Sequence, residues 1–218
     1  IYMSLKRSLL EEQSFTPPVF KEGVLIAKTP AEYETALGLR YITASYFQTK
    51  KIQRHIEKLT EYGLRHGYIS REQKWLGYLF DQEIKEIWTP PLSIHWIHES
   101  IGYGAFAEKP IKKYRFIGEY VGLVRKKQKK IDEENAYTFE YTVGESLETA
   151  YTIDAKTSGN YIRFLNHKEK GNCDSLLIFH ENQMRIIVRS NRDIAEGEQL
   201  TYDYGSEYWE RREDYQEL

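Results

Sequence analysis

Hydrophobic positions change period once along this chain. Between residues 29 and 88 they recur at helical spacing, and from residue 92 onward they fall into short alternating runs. Thr29, Pro30, Ala31 and Glu32 form a capping-box pattern with proline at the first helical position, so a helix is predicted to start there. Tyr33, Leu37, Tyr41 and Ala44 continue its stripe. Ile52, Ile56 and Leu59 repeat it as far as Gly63, a suitable C-terminal cap, and the pattern predicts two helices with a break near Gln48. A second box, Ser70 to Gln73, precedes the stripe Trp75, Leu76, Leu79, Phe80, Ile84, Ile87, which stops at Thr89, Pro90 and Pro91.

The later runs read as strands: Leu92, Ile94, Trp96, then Phe116, Tyr120, Val121, Val124, then Tyr137, Phe139, Tyr141, then Tyr151, Ile153, and Ile186, Val188. Gly, Asn, Asp and Pro bound them. The pattern divides the chain into an extended N-terminal arm (1–28, with Pro17 and Pro18), a helical segment (29–91), a mainly β domain (92–205) and a C-terminal helix or tail (206–218). The fold class expected is α+β.

Composition narrows the function classes. Hydrophobic residues make up 40% and charged residues 29% of 218, an ordinary globular balance. A net charge of −2 gives the whole chain no case for wrapping nucleic acid, so direct nucleic-acid binding is not expected. The basic run Arg125 to Lys130 reads as a solvated face or, more sharply, as a docking patch. One cysteine, Cys173, excludes an intrachain disulfide and a multi-cysteine zinc site. No apolar run is long enough to span a membrane, and no signal peptide is visible at the start, so a soluble chain is expected.

Candidate chemistry concentrates at the two ends of residues 163–205. Arg163, Phe164, Leu165, Asn166, His167 opens that stretch, and Thr201, Tyr202, Asp203, Tyr204, Gly205 closes it with two phenols and a carboxylate before a glycine. An ordinary half-buried strand would alternate instead. Gly102, Tyr103, Gly104 and Ala107 formally satisfy a loose dinucleotide-binding pattern, but Pro110 falls where the helix should begin and no βαβ unit surrounds it. The two glycines then serve a close ligand approach or simply a bulge. His167, Cys173 and His180 have spacings that fit no compact ligand pair, so no metal is expected. No nucleophile elbow or phosphate-binding loop is present, and no low-complexity or repeat segment.

Taken together these segments resemble the SET-domain family of protein lysine methyltransferases over about residues 93–209. The motifs are Gly102-Tyr103-Gly104, Glu119-Tyr120-Val121-Gly122, Arg163 to His167, and Gly197 to Gly205, in that order. The layout, with a helical segment ahead of the motifs, is similar to the SET proteins of chlamydiae. The resemblance implies a mainly β SET fold with a pseudoknot-like crossing of the last two motifs, and transfer of a methyl group from S-adenosylmethionine to lysine.

By the same resemblance Gly102, Tyr103 and Gly104 would offer backbone to the cofactor, Asn166 and His167 would bind it, and Arg163 would support that segment. Tyr204 would be the catalytic tyrosine, and Tyr202 would limit the product to mono- or dimethyl-lysine. Tyr137 is a candidate channel wall, with a core strand tyrosine as the equal alternative. Lys168 stands where the family usually has serine, and no cysteine-rich segment follows the last motif, so Tyr208 and Trp209 would have to close the site.

A free lysine has a pKa of about 10.4, so only roughly one in a thousand is a neutral nucleophile near neutral pH. A phenol-lined channel can help where a carboxylate would stabilise the ammonium. The expected partner is a basic protein, a histone or a bacterial histone-like protein, met in the bacterial cytoplasm or inside a host cell. The helical segment is a candidate dimer surface, and a catalytically inactive SET-like binding module is the alternative function.

Overall fold

The computed structural model describes residues 16–205 and Tyr208. Fifteen strands, numbered in chain order among these residues, form four sheets. Strands β1 (Val19–Lys21) and β2 (Val24–Ala27) form a hairpin that joins β5 (Leu92–His98) and β6 (Gly102–Ala107) in the order β2-β1-β5-β6. Regular structure in the described part of the N-terminal arm corrects the expectation of an irregular segment. Glu22 and Gly23 both have positive φ, 52° and 79°, the backbone of a primed two-residue turn. Glutamate at the first turn position hid that signal in the sequence. The Tyr33 phenol donates to the Pro17 carbonyl at 2.6 Å and ties this entry to the first helix.

Both capping boxes form as predicted, at Thr29 and Ser70. The first helix, Pro30–Leu37, ends earlier than its apolar stripe, because Gly38 adopts the left-handed conformation (φ 62°) and caps it. Tyr41 therefore lies in β3 (Arg40–Tyr41), which pairs in parallel with β11 (Ser158–Gly159). Likewise β4 (Tyr46–Phe47) adds to the sheet β4-β8-β10-β9, built with β8 (Leu123–Lys126), β10 (Leu147–Asp154) and β9 (Thr138–Val143). The segment expected to be helical thus lends strands to both neighbouring sheets.

The helix Lys50–His66 is capped by Gly67 at φ 76°, and Gly63 lies inside it. A Cβ on Gly63 would come within 2.5 Å of Val143 Cγ1, so this glycine permits close helix–hairpin packing and is not a cap. Helix Arg71–Leu79 buries Leu76 and Gly77 against β13 (Cys173–His180), with Phe80 at its end, while Trp75 and Leu79 face outward.

The remaining sheet has the order β12-β15-β13-β14-β7, with β12 (Asn166–His167), β15 (Thr201–Tyr202), β14 (Gln183–Ser190) and β7 (Phe116–Glu119). Here β15 enters between two segments adjacent in sequence. Asn166 and His167 pair with Thr201 and Tyr202, and Cys173 pairs with Tyr202 from the other side. This is the crossing that the motifs implied. It needs Gly171, where a Cβ would stand 2.5 Å from the Thr201 carbonyl oxygen and 2.7 Å from Tyr202 Cα. Asn172, 1% exposed, fixes the thread: its Nδ2 donates to Gln199 O and its Oδ1 accepts from Thr201 N, at 2.8 and 2.9 Å.

The basic run does not form one solvated face. Arg125 is 4% exposed and bonded to Asp132 and Asp154. A buried guanidinium is tolerable only with such partners, and this one anchors the short helix Lys129–Glu134 and the turn leading to Tyr137.

Candidate active site

The crossing delivers the two candidate motifs to one place. Tyr204 N donates to His167 Nδ1 at 3.2 Å, and the Tyr204 phenol donates to the Leu165 carbonyl at 2.7 Å. Accepting at Nδ1 leaves the neutral His167 ring with its proton on Nε2. The Tyr202 and Tyr204 rings lie 4.8 Å apart, and Tyr208 packs edge-on to Tyr204 at 4.7 Å. Left-handed Gly205 (φ 83°) donates to the Asp203 carboxylate at 2.8 Å and closes the turn.

Two cavities meet on these residues. The larger, about 840 Å³, has Trp96, Gly102, Tyr103, Asn166, His167 and Tyr204 among its walls. Gly102 needs its glycine for φ 78°, and open space lies where its Cβ would be. Asn166 Nδ2 donates to the Tyr103 carbonyl at 3.2 Å, which fixes the two predicted loops against each other. Gly104 does not line this cavity. A Cβ there would fall 2.7 Å from Gln199 Nε2 and 3.2 Å from Asn166 Nδ2, so its role is to let those amides approach. Ala36 and Leu37 of the first helix and Leu39 just beyond its cap also line the cleft, a contribution that the sequence pattern did not signal.

The smaller cavity, about 350 Å³, is walled by Tyr120, Tyr137, Phe139, Tyr202 and Tyr204. Ala136, Tyr137, Arg163, Tyr204 and Tyr208 border both cavities, so the two share one wall. The Arg163 guanidinium lies 3.7 Å over the Tyr137 ring and donates to the carbonyls of Ala155 and Lys156 at 2.8 and 2.7 Å. Tyr120, to which the sequence motif assigned no role in the site, donates its phenol to the Tyr137 carbonyl at 2.8 Å and sets that residue's backbone. Burial raises the pKa of Tyr202 and of Tyr120 well above the ordinary tyrosine value, so both are neutral phenols at any physiological pH.

Tyr202, Tyr204, Tyr137, Arg163, Asn166, His167, Gly102 and Tyr103 therefore gather at one bipartite site. Trp209 lies outside the described residues. Cys173 and His167 flank Tyr202 from the two strands on either side of β15, two strand spacings or about 9.5 Å apart. Burial also pushes the Cys173 thiol up to about 12, so this pair is no nucleophile and base.

Residues 102–205 match the SET domain family. Those residues form a SET domain. They are similar to the histone-lysine N-methyltransferase MEDEA of Arabidopsis thaliana, 34% identical over 47% of this chain and 15% of MEDEA. The chain also resembles the H3 lysine-4 specific histone-lysine N-methyltransferase of Schizosaccharomyces pombe, 32% identical over 55% of its length and 13% of that enzyme. A solved structure of a humanized mutant of the Chaetomium thermophilum Polycomb Repressive Complex 2 overlaps 56% of this chain and 16% of its own at 24% identity, with a TM-score of 0.47. The chain thus spans a small fraction of the length of the curated relatives it matches. Among the described residues no helix is long and apolar enough to cross a membrane.

Proposed function

We propose that this chain is an S-adenosylmethionine-dependent protein lysine N-methyltransferase. The observation that carries the reading is the shared wall: a cleft and a phenol-lined cavity abut across Tyr137, Arg163 and Tyr204. A cleft on one side can hold the donor while a narrow apolar passage on the other admits a side chain.

The cofactor fits the residues present. The larger cavity has the volume of a small-molecule site, open backbone at Gly102, ring surface at Trp96 and Tyr103, and polar groups at Asn166 and His167. When bound, S-adenosylmethionine would supply a methyl group on a sulfonium, and its transfer to a neutral amine would leave a neutral thioether and a methylammonium that sheds its proton to water.

The residues of the chain prepare the amine. Aromatic walls disfavour the charged ammonium and so lower the pKa of an entering lysine. The fixed positive charge of Arg163 at the shared wall acts in the same direction. The deep wall is made of neutral phenols, so no carboxylate there holds the proton on the amine. Tyr204, held by Leu165 and His167, orients the acceptor towards the cleft.

Tyr202 is 6% exposed and stacks at 6.5 Å on Phe139, a rigid wall that leaves a methylated amine little room to turn. Mono- and dimethylation, rather than trimethylation, follow from that crowding. The substrate proposed is a basic protein of the histone class, the substrate for which these relatives are named; a chain of the chlamydial layout would meet it as host histone or as the bacterium's own histone-like protein.

The test is incubation of methyl-labelled S-adenosylmethionine with a panel of histones and bacterial lysate. Wild type should label a protein band and Tyr204→Phe should not; equal label from both would refute the assignment.

A further inference from the structure

The hairpin β9–β10 forms one side of the lysine cavity, and among the described residues it carries the carboxylates that line it. Glu140 lies on β9, Glu145 in the turn and Glu148 on β10. Glu140 already holds a lysine of this chain: Lys127 Nζ stands 3.0 Å from Glu140 Oε2, both side chains about three-tenths exposed. Glu145 and Glu148 are exposed, and no ion pair to either occurs among the described residues. The cationic residue of its described lining, Arg163, donates to two carbonyls and lies over the Tyr137 ring, and it forms no ion pair with either glutamate.

The hairpin is also fixed in place from behind. Gly63 in helix Lys50–His66 meets Val143, and Gly144 at the turn (φ 66°) packs its bare Cα on the Tyr68 carbonyl, where any Cβ would collide with backbone. Further along, His55 Nδ1 pairs with the Tyr151 phenol at 2.5 Å. The helical segment therefore grips β9, the turn and β10, and presents Glu145 and Glu148 at a set distance from Tyr202 and Tyr204. Carboxylates on a rigid support lose little entropy on taking a partner.

From this placement we infer that Glu145 and Glu148 are specificity-determining residues: they receive a cationic side chain that flanks the target lysine, and the helical segment serves to hold that wall. The inference rests on the methyl-transfer reading of the same cavity and adds to it a flanking charge requirement and the residues that impose it. The separation within the site is chemically sensible. Carboxylates at the exposed mouth attract a basic segment, while the deep phenols keep the target amine from being held as an ammonium.

A set of peptides with one central lysine, and arginine or glutamine stepped along either flank, tests this. Binding is read by fluorescence anisotropy with S-adenosylhomocysteine present, and initial methylation rates are read alongside. For wild type the best-placed arginine should improve both by about fivefold over glutamine. The double variant Glu145→Gln/Glu148→Gln should bring that ratio to unity, and Glu145→Lys/Glu148→Lys should prefer glutamate flanks. A ratio unchanged in the variants, or absent from wild-type binding, overturns the inference. Arginine-dependent binding abolished in the variants, with no methyl transferred by wild type to any peptide, would sink the enzyme reading and leave the wall assignment standing.

Discussion

The phenol of Tyr204 is bonded to the carbonyl of Leu165 at 2.7 Å, across the crossing of the two last motifs. The residue at the shared wall of the two cavities is thus oriented by the segment that also supplies Asn166 and His167. Removing the hydroxyl keeps the ring contacts with Tyr202 and Tyr208 but frees the ring to shift. Tyr204→Phe should lower kcat by about a hundredfold or more, the cost of a misplaced reacting group, with cofactor affinity by calorimetry close to wild type.

Product multiplicity should depend on Tyr202. Its phenol is buried beside Phe139, and Tyr202→Phe removes an oxygen from the narrow cavity. Intact-mass analysis of the product should shift from mainly monomethyl towards di- and trimethyl. Trimethyl product from the wild type would defeat this account of the channel.

The threaded crossing should be intolerant of a methyl group at Gly171. Gly171→Ala puts a carbon against the Thr201 carbonyl and Tyr202 backbone, which have no room to yield because Asn172 pins them. A loss of about 2 kcal/mol is expected in denaturant unfolding. An unchanged midpoint would show that the crossing is looser than described.

Stored strain should be recoverable at Ile87. This β-branched residue has φ 52° at the end of helix Asp81–Lys85, where Trp88 N bonds Glu83 O at 2.8 Å in the manner of a C-terminal cap. Left-handed backbone costs a residue with a Cβ about 1–2 kcal/mol, part of which glycine returns as unfolded-state entropy. Ile87→Gly should raise Tm by a few degrees in a thermal scan; a lower Tm would mean that its half-buried side chain outweighs the strain.

Acid stability should track Glu198. Its carboxyl accepts from Arg192, Ala195 N and Asn172, which depress its pKa from 4.5 to about 2. A folded-state pKa below the unfolded one means stabilisation that is full above about pH 4.5 and lost as pH falls towards 2. Glu198→Gln should flatten that part of the pH–stability curve measured by urea unfolding. A curve of unchanged slope would remove Glu198 from the acid transition.

Sequence periodicity revealed the capping boxes at Thr29 and Ser70 and the strands β5, β7 to β10 and β14 because each is a local signal, but it passed over β13. It misplaced Tyr41, since a left-handed Gly38 ends the helix while the apolar stripe runs on. It also took Gly63 for a cap, when the reason for that glycine is Val143, eighty residues away in sequence. Arg125 looked solvated because one of its two carboxylate partners, Asp154, comes from a strand 29 residues further on. The candidate site was legible through its motifs, but Tyr120 acts through the Tyr137 carbonyl and Leu37 through helix placement, long-range roles that the local motif and stripe do not encode.

The central claim is that the passage beside Tyr204 prepares a lysine amine to accept a methyl group. Mass-spectrometric mapping of a basic protein incubated with the wild-type chain and methyl-labelled S-adenosylmethionine tests it most directly. The account predicts label on lysine side-chain nitrogen, mainly as a single methyl, and none with Tyr204→Phe. Label on any other atom, or lysine label that persists undiminished in Tyr204→Phe, would contradict it.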